Sequence, residues 1–198
     1  MLALTVPLVA VADQITKALA KAYLAPLRTE IERGDRFVTV IDGLFRLKYT
    51  ANTGAAWGMG REWGPIVHIL ISLAAIVMIV WFVHKLEPRQ KGLALSFSLV
   101  LGGAVGNVID RIYMHEVIDF IDWYVAFDEP VNFLLFTASA GEHHWPTFNV
   151  ADVGISIGVV LLLALMIFTR EGARTEEAET SEPEPGSEPG AEDEQRGS

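Results

Sequence analysis

Four aspartates, Asp13, Asp110, Asp119 and Asp152, fall in or beside hydrophobic segments that should otherwise exclude charge. A carboxylate at the centre of a membrane helix costs roughly 2.5–3.5 kcal/mol on insertion scales, so each is a candidate functional group. Asp119 and Asp152 stand in contexts that suggest a catalytic pair. Two carboxylates sharing a site do not both ionise easily, so one keeps a proton while the other is charged. Plainer roles stay open for all four. Asp13 with Lys17 makes an i,i+4 ion pair, and Asp110 with Arg111 can cap and anchor a helix end. Asp152, just after Asn149, can stabilise a helix N-terminus. Asp119 on a polar helix face would ordinarily be solvated.

These carboxylates must be held by membrane-embedded elements. The chain has 198 residues, 51% of them hydrophobic, which is the composition of an integral membrane protein. The formal charge of −10 is concentrated in the tail, since Arg170–Ser198 holds ten acids against three bases. There is no basic stripe, hence no nucleic-acid partner is expected. With no cysteine, disulfides, thiolate metal sites and a cysteine nucleophile are excluded.

Length and apolarity predict transmembrane helices at about 64–83, 92–110 and 149–169, and a shorter apolar run that continues through charged residues makes about 1–24 the first of four, with extracytoplasmic loops 25–63 and 111–148. In the first, Asp13, Lys17 and Lys21 recur every four residues and share one helical face, which should look inward at protein. In the first loop, Asp42-Gly43 is a hairpin signal, and Phe45, Leu47 and Tyr49 alternate with Arg46 and Lys48, predicting a small extracytoplasmic β-sheet. Residues 116–125 in the second loop read as an interfacial amphipathic helix with Trp123 and Tyr124 at headgroup depth. Residues 170–198 read as an acidic disordered cytoplasmic tail.

The turn His84–Lys91 carries Lys85, Arg89 and Lys91, whereas Ile112–Phe148 has no Lys or Arg. The positive-inside rule therefore puts that turn and both termini in the cytoplasm, although six Arg/Lys in the first long loop oppose this. Asp13 then lies about 18 Å from the inner face, and charge from four segments meets in the outer leaflet. Other motifs carry less. Gly154–Gly158 spells a nucleophile elbow but inside an apolar helix, and Glu142-His143-His144 and His115 lack metal-ligand spacing. Gly102 and Gly106 make a small-xxx-small pair suited to close helix packing.

Read together, the motifs resemble those of the lipoprotein signal peptidases, the type II signal peptidases of bacteria. The matching stretches are DQITK at Asp13–Lys17, NTGAAWG at Asn52–Gly58, GNVIDR at Gly106–Arg111, VIDF at Val117–Phe120 and FNVAD at Phe148–Asp152. The resemblance implies an aspartyl endopeptidase of the bacterial cytoplasmic (inner) membrane, with Asp119 and Asp152 catalytic and no metal or cofactor. It maps supporting positions onto Asp13, Lys17, Asn52, Gly54, Asn107, Asp110, Arg111 and Asn149. The implied substrate is a diacylglyceryl-modified prolipoprotein, cut just before the lipidated cysteine by a monomer in contact with membrane lipid. Val131–Thr147 is longer than the family pattern, and the acidic tail has no counterpart there. A proton- or ion-coupled transporter is the alternative for intramembrane carboxylates, but it favours midplane sites and repeated halves, and no repeat is visible. A non-enzymatic assembly subunit would account for Asp13/Lys17 and Asp110/Arg111 but leave Asp119 and Asp152 unexplained.

Overall fold

The computed structural model describes residues 2–29, 37–54, 64–132, 134 and 137–180. Helix α1 spans Leu2–Tyr23 and is followed by a short α2 at Ala25–Thr29. Strands β1 (Phe37–Ile41) and β2 (Phe45–Asn52) form the expected hairpin, with Gly43 at φ 72 supplying the left-handed residue of its turn. Helices α3 (Gly64–His84) and α4 (Lys91–Met114) follow, then β3 (Val117–Phe127), β4 (Val131–Asn132), β5 (Thr137–Ala138), β6 (Gly141–His144) and α5 (Val150–Thr180). The chain divides into two compact units, Met1–Leu162 and Leu163–Ser198, and the described part of the second is the remainder of α5.

Among the described residues, three helical segments are long and apolar enough to cross a membrane: Ile66–His84, Lys91–Met114 and Val150–Phe168. The chain is an integral membrane protein. Helix α1 is not in that set, and Asp13, Lys17 and Lys21 interrupt its second half. Its faces are nevertheless sorted. Leu4, Leu8, Val11, Ile15 and Leu19 are exposed, whereas Ala10, Asp13, Lys17 and Ala20 are buried. A charged stripe inside and an apolar one outside is the inverse of a soluble amphipathic helix. Lys21 departs from the expected inward face. It is exposed, and its Nζ reaches Met114 Sδ at 3.7 Å, because the helix end has passed beyond the buried carboxylates.

Close packing of α1 on α4 depends on the two glycines of the small-xxx-small pair. A Cβ at Gly102 would stand 2.8 Å from Val9 Cβ, and one at Gly106 would stand 2.5 Å from Asp13 Oδ2. At both positions only hydrogen leaves room for α1.

The expected interfacial helix at 116–125 is instead the 11-residue strand β3. It lies in a four-stranded antiparallel sheet of order β1-β2-β3-β6. Its Val, Ile, Phe, Trp and Tyr content suits a strand, but Val117–Phe120 are all buried, which erases the period-2 alternation that marks a one-sided strand. Helix α4 ends with His115 at φ 60, whose N–H bonds Arg111 O, and this turn aims the chain into β3. A register shift in β2 between Leu47 and Thr50 then pairs Thr50 with Asp119 and Asn52 with Val117. The bulge thus brings Asn52 to the face that carries Asp119. Ala20, Leu24, Ile118 and Phe120 form the apolar core joining α1 to the sheet.

Two sequence expectations meet the limits of the described residues. Helix α5 continues past the expected end at 169 to Thr180, through Glu, Ala and Arg, which are good helix formers. The rest of the acidic tail, 181–198, and positions 55–58 of the NTGAAWG stretch lie outside the described residues.

Candidate active site

Helix α5 starts at the site through a capping arrangement. Asn149 Oδ1 accepts the Asp152 N–H at 3.0 Å, and Asp152 Oδ2 accepts the Asn149 N–H at 3.2 Å. This reciprocal pair satisfies two N–H groups that a helix start leaves open. The Asn149 side chain is completely buried. Its Nδ2 donates to Asp119 Oδ1 at 2.7 Å, to Asn107 Oδ1 at 3.2 Å and to Ile118 O at 3.3 Å. Asn107 Nδ2 in turn donates to Asp152 Oδ1 at 2.9 Å. Two amides, one from α4 and one from the start of α5, therefore link both carboxylates. Asn52 Nδ2 completes Asp119 by donating to Oδ2 at 3.0 Å, while its Oδ1 accepts the Gly54 N–H at 3.0 Å and fixes the amide's orientation.

Below this pair lies a second buried charge group. Lys17 Nζ is 2.8 Å from Asp13 Oδ2 and 2.8 Å from Asp110 Oδ2, and it donates to Asn107 Oδ1 at 2.9 Å. Asp13 Oδ1 accepts the Ala151 N–H at 2.9 Å, and Asp110 Oδ2 accepts the Ile118 N–H at 3.2 Å. Each oxygen thus has a partner, as burial of charge requires. The group joins α1, α4, the start of α5 and the start of β3. Of the two plain roles considered for these residues, Asp13–Lys17 is an i,i+4 pair but does not close on itself. Asp110 pairs with Lys17 and not with its neighbour Arg111, which reaches Asn107 O at 3.3 Å and Gly54 O at 3.4 Å.

A cavity of about 1010 Å³ opens on this arrangement. Asn52, Asn107, Arg111, Asp119 and Asp152 form its polar part. Its helical wall is mostly apolar, with Ile71, Ala75 and Ile79 from α3, Val100 and Ala104 from α4, and Ile155 from α5, and it also includes Ser72 and Ser156. Trp123, Trp145, Pro146 and Phe148 border the opposite end. Asp119 is 3% exposed, and burial followed by the nearby Asp152 pushes its carboxyl up to about 7, against the hydrogen bonds from Asn52 and Asn149. Asp152 is half-buried at the cavity wall.

All ten residues singled out from sequence converge here. Gln14 was missed, although it donates to Asp110 Oδ1 at 2.8 Å and to Gly106 O at 3.1 Å. Its signal was an uncharged polar side chain in an apolar helix. A separate cluster on the sheet was also missed. Asp122 is fully buried between Arg46 at 2.7 Å, Lys48 at 2.8 Å and His144 at 3.1 Å. Burial opposes its ionisation, yet Lys48, Arg46 and His144 together hold it below the usual carboxylate range. His144, weighed above as a metal ligand, is occupied as a link between β6 and β3.

Spanning helices, an antiparallel sheet and a carboxylate-bearing cleft make this fold that of a membrane enzyme. It is similar to two solved bacterial membrane enzymes, one determined by the in meso method at 2.3 Å resolution and the other at 1.9 Å. The first has a TM-score of 0.65 and 26% identity over 86% of this chain and 90% of that one. The second has a TM-score of 0.59 and 27% identity over 83% and 91%. The family model described as signal peptidase (SPase) II matches residues 5–168. A lipoprotein signal peptidase of Symbiobacterium thermophilum is 37% identical over 174 residues, covering 87% of this chain and 99% of the relative. One from Sulfurihydrogenibium sp. is 35% identical over 166 residues, covering 81% and 87%. The chain belongs to the signal peptidase II family and is a bacterial membrane peptidase.

Proposed function

We propose that this peptidase is an aspartyl endopeptidase that removes the signal peptide from diacylglyceryl-modified prolipoproteins, cutting before the lipidated cysteine. The observation that carries the reading is the linkage of Asp119 and Asp152 through Asn149 and Asn107 at one cavity, with Asp119 pushed up to about 7. The names of the relatives support the substrate class.

Asp119, the more buried acid, keeps a proton, and Asp152 takes one from water. The water oxygen bonds to the scissile carbonyl carbon while the Asp119 hydroxyl stabilises the developing oxyanion. Asp119 then gives its proton to the amide nitrogen, the C–N bond breaks, and Asp152 returns the water's proton to the pair. Because the pair shares its protons, the titration belongs to both acids. Asn52, Asn107 and Asn149 position the carboxylates, Lys17 pairs with both Asp13 and Asp110, and Arg111 with Gly54 borders the cleft. The apolar wall between α3, α4 and α5 receives the acyl chains.

Helix α1 is taken as the fourth span, because its exposed stripe from Leu4 to Leu19 is apolar. Both termini are then cytoplasmic and the site faces the outer leaflet. The protein works as a monomer in contact with membrane lipid. Nothing in the site or the relatives supports the transporter alternative.

The test is cleavage by purified protein in detergent of a diacylglyceryl-modified prolipoprotein and its unmodified form, each with and without a chelator. Cleavage of the modified substrate alone, unaffected by the chelator and abolished in Asp119→Asn and Asp152→Asn, is expected. Equal cleavage of the two forms, zinc-restored inhibition, or wild-type turnover in either variant overturns the reading.

A further inference from the structure

The mechanism leaves unused the two indoles at the far end of the cavity. Trp123 is 54% and Trp145 58% exposed, although both border the cleft that holds Asp119 and Asp152. They are built as a unit. The Trp145 N–H donates to Trp123 O at 2.8 Å, and the Trp123 ring meets Phe148 edge-on at a centroid distance of 5.3 Å. Phe148 is fixed to the sheet through its N–H to Ile121 O at 3.1 Å and by its carbonyl, which accepts the Ile121 N–H at 2.8 Å. The segment after β6 thus carries Trp145 to the rim and then runs straight into Asn149.

Strand geometry sets what these rings can reach. Asp119, Ile121 and Trp123 alternate onto one face of β3, so Trp123 lies about 13 Å beyond Asp119 along the strand. Helix α4 ends at Met114, three residues before β3 begins at Val117, so the helices adjoin the end of the strand opposite Trp123. An extended chain that keeps its apolar part among the helices must therefore leave the site over this face, and at about 3.3 Å per residue it passes the indoles two to four residues after the cleaved bond.

Building on the proposed function, we propose that Trp123 and Trp145 are specificity-determining residues that pack against the first mature residues after the lipidated cysteine and favour an apolar or aromatic side chain there. Flat, rigid aromatic faces supply contact area with little loss of side-chain freedom.

The test uses the full-length protein in detergent with two modified prolipoproteins that differ only at the third residue after the cysteine, one Phe and one Gly. Wild type should cleave the Phe substrate with about tenfold higher kcat/KM, the difference lying in KM. Trp145→Ala and Trp123→Ala should each shrink this ratio severalfold by raising KM for the Phe substrate, while Trp145→Phe restores most of it. A wild-type ratio of one with both substrates cleaved overturns the inference and leaves the proposed function standing. So does a ratio unchanged in both alanine variants, the result expected of indoles that serve only to anchor the protein in lipid. Cleavage of neither substrate by wild type overturns the proposed function itself.

Discussion

Replacing Asp119 by Asn should remove one of the ways in which stability depends on pH. In the folded protein burial and Asp152 push this carboxyl from 3.8 to about 7. The folded state therefore binds the proton more tightly than the unfolded chain does. The contribution of this group to stability is then full below about pH 4 and is lost as pH rises from 4 through 7. At about 1.36 kcal/mol per unit, a shift of roughly three units amounts to at most about 4 kcal/mol. The Asn variant has no such loss. Its cost is local: Asn52 presents Nδ2 to Asp119 Oδ2 and is held in that orientation by Gly54, so an amide NH2 placed there meets a donor. One lost hydrogen bond is worth about 1 kcal/mol. The variant should therefore be slightly less stable than wild type at pH 4 and more stable at pH 8, by up to about 3 kcal/mol. With about 2–4 °C per kcal/mol for a chain of this size, the difference in Tm should swing by several degrees and change sign between these limits. Thermal unfolding in detergent, followed by tryptophan fluorescence from pH 4 to 9, measures it. Parallel Tm curves for the two proteins would refute the reasoning.

Three further outcomes follow from the same geometry. Turnover should fall as pH rises through about 7, because Asp119 then loses the proton it must hold; a kcat profile flat from pH 6 to 9 counts against its role as the acid. Lys17→Met should destabilise the protein by about 3–5 kcal/mol, since it leaves Asp13 and Asp110 buried without a cation, and a Tm close to wild type would contradict this. Deleting Glu176–Ser198 should leave cleavage kinetics in detergent nearly unchanged, because every residue linked to the carboxylate pair lies before position 153; loss of activity in a folded truncation would show that the tail takes part.

The hairpin and the apolar spans were legible because their signals are local. Asp42-Gly43 allows few turns, and a long apolar run permits little except a span or a buried helix. β3 was misread for the opposite reason. Its first half is buried on both faces, and its strand character comes from pairing with Phe45–Asn52 and Gly141–His144, distant in sequence on one side. Residue pattern alone left Asp119 a solvated surface acid, and only the five motifs in family order marked it out. What the motifs did not reveal was how Asn149 serves both carboxylates at once, or that a bulge in β2 delivers Asn52. The partner of Asp110 was also hidden, since a neighbouring arginine is the obvious choice and the true one lies on another helix.

The lysine that joins α1 to α4 sets a timetable for biogenesis. Lys17 leaves the ribosome beside Asp13, but Asp110 is made only after α3 and most of α4. At ordinary translation rates of about 5–20 residues per second, the interval is roughly 5–20 s. Until then the ammonium has one carboxylate in place of two, and the Asp13 oxygen that accepts the Ala151 N–H has no partner either. Under the proposed topology, α1 is therefore synthesised well before the helices that complete its seat. During that wait the insertion machinery or the membrane–water boundary must shelter an ion pair that the finished enzyme encloses completely.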